Sequence, residues 1–221
     1  MADTDPLVQT LPAIARLATT YAPAMARPAT LAMLALDARL AGLIRNSREP
    51  MLAQLRLAWW RETLGQNPAN WPEGEPLLSA LRSWAGTHHG LVSLVEGWEA
   101  LTTPPPLSAQ AVEAYGAGRG RAAEGLASVV GAPQDALAAY RLGRIWAVED
   151  LAMRLTRPEE RTAVMEVIDR EPSELPKVGR ALRPIRVLAA LARRRRLKGE
   201  ADPALSPGAM LHAMRVGLLG L

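Results

Sequence analysis

The stretch from Pro50 to Leu64, read Pro-Met-Leu-Ala-Gln-Leu-Arg-Leu-Ala-Trp-Trp-Arg-Glu-Thr-Leu, leaves the chain little choice but a helix. Its proline sits at the one turn where a helix tolerates proline, Ser47 stands just upstream as a candidate cap, and no breaker follows. At about 100° per residue, Met51, Leu55 and Ala58 form one stripe, Leu52 and Trp59 flank it, and Leu57, Trp60 and Leu64 cover much of the rest. A helix apolar nearly all round is expected at the centre of the fold. Two charges interrupt it: Glu62 falls in the Met51 stripe, and Arg56 lies one turn before Trp59 and Trp60. Buried charges require partners, so the pattern is either a scaffold ion pair or a polar site within a helical core.

Helical periodicity recurs along the remainder, and no β-branched run alternates between turn signals, so the expectation is an all-α fold. We read one domain over 1–221 with about ten helices. Besides 50–64, they are expected over 7–21, 29–44, 77–85, 91–101, 108–130, 134–155, 157–168 and 178–197, with a last one starting at Ser206-Pro207. Ser108 is the expected cap of the long helix after the triple proline 104–106, and Thr156 with Glu159 has capping-box spacing. The segment 67–76, rich in proline and glycine, reads as a loop running over the surface.

Composition narrows the chemistry. With no cysteine, disulfides, thiol catalysis and thiolate metal sites are excluded, and three histidines are too few for most metal sites. No run reaches the roughly 18 to 20 apolar residues of a membrane span, and the acidic Met-Ala-Asp-Thr-Asp start is unlike a secretory leader, so a cytoplasmic location is expected. The net charge of +4 is carried almost wholly by arginine, Lys177 and Lys198 being the only lysines. A GC-rich coding sequence produces such arginine usage, so the charge by itself does not imply nucleic acid.

Gly116, Gly118 and Gly120 lack the preceding strand and spacing of a phosphate loop and read as small residues that let helices approach closely. His88 and His89 are adjacent, project to different sides and mark a helix end before Gly90. Glu149 and Asp150 sit in an apolar helix, where they either face solvent or reach a partner such as Arg56. The basic helix carries Arg180, Arg183, Arg186 and Arg193, Arg194, Arg195 and Arg196, interleaved with Ile185, Leu188 and Leu191. Each such cation near an anionic surface is worth on the order of 1 kcal/mol, so this face reads as a membrane or partner surface; the bland alternative is cations solvated at a helix C-terminus.

The segment Leu-Arg-Leu-Ala-Trp-Trp-Arg-Glu at 55–62, preceded by Glu49-Pro50-Met51-Leu52, resembles the squalene/phytoene synthase superfamily, as do Leu142-Gly143-Arg-Ile-Trp-Ala and the 182–193 segment. The resemblance implies an all-α isoprenoid-synthase-like bundle around a central cavity. Synthases of that family hold Mg²⁺, and through it a substrate diphosphate, on two DxxxD motifs. By position these would fall around Ala41, Gly42 and Arg45, and near Arg154 and Pro158, none of them acidic. Asp37, Glu149 and Asp150 are the nearby acids and the candidate catalytic residues; Arg45, Arg56, Trp59, Trp60 and Arg154 are the candidate ligand-binding residues.

The resemblance with both motifs lost implies a non-catalytic lipid- or partner-binding factor with no cofactor, peripheral on the inner membrane, like the family members that assist respiratory complex I assembly. Two rivals stand beside it. One is a divergent Mg²⁺-dependent prenyltransferase acting on isoprenoid diphosphates, and the weaker one a basic helical nucleic-acid binder.

Overall fold

Arg119 and its neighbours on a glycine-rich helix, rather than the Pro50 stretch, occupy the middle of the structure. The computed structural model describes residues 6–47, 49–199 and 206–220. Among these there are eleven α-helices and no strand: α1 (Pro6–Thr10), α2 (Ala13–Thr19), α3 (Arg27–Asn46), α4 (Pro50–Gly65), α5 (Pro76–Leu81), α6 (His89–Ala100), α7 (Ala109–Val129), α8 (Ala136–Ala152), α9 (Pro158–Ile168), α10 (Arg183–Lys198) and α11 (Pro207–Met214). A single core runs through them from Leu11 to Val216. No described helix is long and apolar enough to cross a membrane.

The all-α reading with about ten helices holds, and most spans agree within a few residues. α7 is the hub, packed between α6 and α8, with α10 closing over α8. Small residues make this possible. A Cβ on Gly118 would lie 2.5 Å from the Ser93 carbonyl oxygen of α6, and one on Gly143 of α8 would lie 2.6 Å from that of Arg119. Gly120 meets the Tyr140 ring in the same way. Gly118 and Gly120 are thus close-approach residues, as their spacing suggests, whereas a Cβ on Gly116 would meet Val148 at an ordinary 3.4 Å.

α4 does not sit at the centre. It packs on α6 through Ala53, Leu57, Trp60 and Leu64 and leaves its other side to solvent, where Met51, Leu52, Leu55 and Trp59 are exposed. Arg56 and Glu62 lie on that open side, so neither is a buried charge in need of a partner. Helical spacing shows which residues share a face; it does not show which face finds a neighbour.

Several local signals resolve differently from the sequence reading. Ser108 caps α7 by accepting from the Ala111 N–H, and Ser206 caps α11 from Ala209. Ser47, by contrast, donates to the Glu49 carbonyl, and Glu49 occupies the cap position of α4. α9 starts at Pro158 after Arg157 with no side-chain cap, so the Thr156 capping box does not form. The 7–21 span divides at Leu11-Pro12. α10 begins at Arg183, with Pro184 in its first turn, later than expected, and ends at Gly199 in the left-handed conformation, φ 62°. His88 and His89 open α6 rather than ending a helix, their rings stacked 4.5 Å apart. The 67–76 loop is anchored in the core: Trp71 is buried, its indole N–H donates to the Gln66 carbonyl, and Arg82 donates to the carbonyls of Pro68 and Trp71.

Candidate functional site

On α3, Asp37, Ala41 and Arg45 recur at four-residue intervals and therefore share one face. Trp146, Asp150 and Arg154 do the same along α8 and its final turn, and Leu188, Ala192 and Arg195 line up on α10. These three faces converge on one cavity of about 350 Å³, closed on a fourth side by Ala13, Ile14 and Ala15 of α2. That volume lies in the range of small-molecule sites.

The floor of the cavity is a buried ion pair. Arg119 donates from Nε to Asp37 Oδ1 and from Nη2 to Asp37 Oδ2, both at 2.8 Å, and Trp98 Nε1 donates to the same Oδ1 at 2.9 Å. The guanidinium carbon lies 4.1 Å from the Trp146 ring centroid, 5.0 Å from Tyr115 and 5.2 Å from Trp98. Burial pulls the Arg119 pKa down, but the Asp37 charge, Tyr115, the Asp150 charge and the hydrogen bonding to Asp37 together outweigh it and leave it raised. Burial likewise pushes the Tyr115 phenol far up, despite Arg119 beside it. Arg119 is thus a permanent cation held in an aromatic cage. Arg119 lines the cavity, and its third nitrogen, Nη1, is buried with no hydrogen-bond partner, 3.7 Å from Asp150 Oδ2.

Asp150 lines the cavity next to Arg119. Arg154 donates to both of its oxygens, at 3.0 and 3.2 Å, and Arg195 Nη1 approaches to 3.9 Å. Arg45 lies exposed at the rim and makes no ion pair among the described residues. Four guanidiniums therefore face two carboxylates, a formal excess of two positive charges, while Ile14, Leu34, Leu188 and several alanines supply apolar surface. Such a lining suits an anionic head joined to an apolar body.

It does not suit Mg²⁺. Both oxygens of Asp37 and both of Asp150 already accept from arginine, Ala41 brings no donor, and no three His, Asp or Glu side chains cluster among the described residues. A hard divalent cation placed here would meet guanidiniums before oxygens.

Of the residues singled out from the sequence, Asp37, Arg45, Asp150 and Arg154 come together in this cavity, and Arg195 joins them from the basic helix. Arg56, Trp59 and Trp60 stay outside it: Arg56 lines a second cavity of about 310 Å³ that shares Thr10 and Ala38 with the first, and the two tryptophans pack edge to face on α4. Glu149 does not meet Arg56. Fully buried at 1% exposure, it accepts from Arg193 Nε at 2.9 Å and also from Arg196 Nε. Arg193 further donates to the carbonyls of Pro172 and Ser173.

The basic helix is accordingly no solvated stripe. Arg183 donates to the carbonyls of Gly217 and Leu218, Arg186 to that of Gly220, and Arg194 lies so close to Gly208 that a Cβ there would come within 2.7 Å of its guanidinium. Arg119, the residue that organises the site, escaped the sequence reading. Its signal is an arginine set between Gly118 and Gly120, where flanking glycines let neighbouring helices close over a large side chain. Comparison of the chain with protein-family models, with curated proteins and with solved structures gives no match, so the site rests on its own geometry.

Proposed function

We propose that this chain is a binding protein, related in design to the squalene/phytoene synthases but without their metal chemistry, and that it holds an anionic amphipathic ligand of the isoprenoid-phosphate or lipid type in the Arg119 cavity. The observation that carries this reading is buried Arg119, whose Nη1 has no hydrogen-bond partner, in the lining of a cavity that also gathers Arg45, Arg154 and Arg195. A buried N–H without an acceptor is a standing free-energy penalty that a phosphate or carboxylate oxygen relieves. In support, of the positions where metal-binding acids would be expected, Ala41, Arg45 and Arg154 line this cavity while Gly42 and Pro158 do not, and none of the five is acidic.

Calorimetric titration with a non-hydrolysable farnesyl diphosphate analogue tests it. The expected result is binding that does not depend on Mg²⁺ and weakens about tenfold in Arg154→Met, the loss of one charge-assisted contact. The absence of binding overturns the reading. Asp37 and Asp150 both line the cavity, which keeps a divergent prenyltransferase as the rival; Mg²⁺-dependent binding with formation of a prenylated product would establish that rival instead.

A further inference from the structure

The end of the chain carries its own amphipathic face, independent of the cavity. On α11 and the π-turn that follows it (Arg215–Leu219), Ala209, Ala213 and Val216 pack inward, while Met210, Leu211, Met214, Leu218 and Leu219 are all exposed, between 47% and 64%. Five large apolar side chains open to solvent within ten residues are far more than scattered surface hydrophobics. The segment is held in place by Arg183, which donates to the Gly217 and Leu218 carbonyls, and by Gly217, seated against the Tyr21 ring where a Cβ would come within 2.3 Å.

The sequence that carries this face is mainly basic. After Glu174 the sequence has ten basic residues and two acids, Glu200 and Asp202. Arg215 and Lys198 are exposed beside the apolar row. The pKa of His212, on the same helix, is lowered by burial and then by the charges of Arg194, Arg215 and Lys198. From these observations we infer that the 207–219 face docks on an anionic lipid bilayer, Met210, Leu211, Met214, Leu218 and Leu219 entering the acyl boundary while Arg215 and Lys198 stay at the phosphates.

The pattern of flexible aliphatic and thioether side chains rimmed by cations is that of an interfacial helix. A second copy of the chain would bring the same cations against themselves. A nucleic acid would use the cations but leave the leucines and methionines exposed, and the row has no aromatic ring for base stacking.

The test is flotation of the purified protein with vesicles of phosphatidylcholine alone or mixed with phosphatidylglycerol, and it does not involve the cavity ligand. The protein is expected to float with phosphatidylglycerol vesicles and to bind them roughly a hundredfold less tightly as Leu211→Ser/Leu218→Ser. Arg215→Gln/Lys198→Gln is expected to weaken binding roughly tenfold or more and to remove most of its salt sensitivity. Leu55→Ser, on the exposed side of α4, is expected to leave it unchanged. In the wild type, phosphatidylglycerol vesicles should slow peroxide oxidation of Met210 and Met214 but not of Met25. Failure to float, undiminished binding by the folded Leu211→Ser/Leu218→Ser variant, equal oxidation of Met214 with and without vesicles, or a dimer that this variant dissociates would each overturn the inference.

Discussion

Asp37 on α3 and Arg119 on α7, 82 positions apart, meet through two parallel hydrogen bonds of 2.8 Å in a compartment closed by Trp98, Tyr115 and Trp146. Both side chains are nearly fully buried, 3% exposed for Arg119 and 9% for Asp37. Asp37→Asn is therefore expected to lower unfolding stability in urea by about 3–5 kcal/mol, because it strands a buried cation. Arg119→Met should do similar damage, and the double variant should lose clearly less than the two singles together. Additive losses would show that the pair is not coupled.

Glu149 ties α8 to α10 through Arg193 and Arg196. Replacing it by glutamine removes the charge common to both contacts, for an expected loss of about 2–3 kcal/mol by urea denaturation. Arg196→Met, whose side chain is partly exposed, should lose less, about 1 kcal/mol. A smaller loss for Glu149→Gln than for Arg196→Met would contradict the shared-clamp geometry.

The two kinds of helical glycine should respond with opposite sign. At Gly118 a methyl group meets the Ser93 carbonyl and the Gly97 Cα, so Gly118→Ala is expected to destabilise by about 1–3 kcal/mol as α6 and α7 are forced apart. At Gly42 the nearest atom is Asn46 Nδ2 at 3.9 Å, ordinary contact, and Gly42→Ala should stabilise α3 by up to about 1 kcal/mol. Thermal melts of the two variants decide the matter.

Acidification should weaken the fold through its histidines. Burial lowers the pKa of His88, with help from the His89 charge, and burial with three nearby cations lowers that of His212. The unfolded chain protonates these rings near the ordinary value of about 6.5 while the folded chain resists. Stability is then flat above that pH and falls as the pH drops through it, until the folded-state values are also passed. Melting temperatures taken from about pH 7.5 down to about pH 5 should show the decline, and His88→Gln/His212→Gln should flatten it.

The helices themselves were legible, since their periods, caps and prolines are local: α3, α4, α6 and α7 begin and end close to where the sequence places them. The candidate site was half legible. Asp37, Arg45, Asp150 and Arg154 stand out as charges at helical spacing, but their convergence depends on the packing of α3, α7, α8 and α10. Glu149 finds its partners 44 and 47 positions away, and no local pattern ranks Arg193 and Arg196 above Arg56 for that role. The prominence given to α4 fails for a related reason: side chains that cover most of a helix do not reveal that half of them end in solvent.

The four arginines of 193–196 turn through about 300° of helix, and their destinations follow that sweep. Arg193 and Arg196, neighbours again after nearly a full turn, grip Glu149; Arg194 reaches the start of α11; Arg195 enters the cavity. What reads along the sequence as a basic patch is a collar in space. It fastens the outer helix, the buried carboxylate and the ligand chamber with one short segment, so removing a single arginine loosens one attachment and leaves the others fastened.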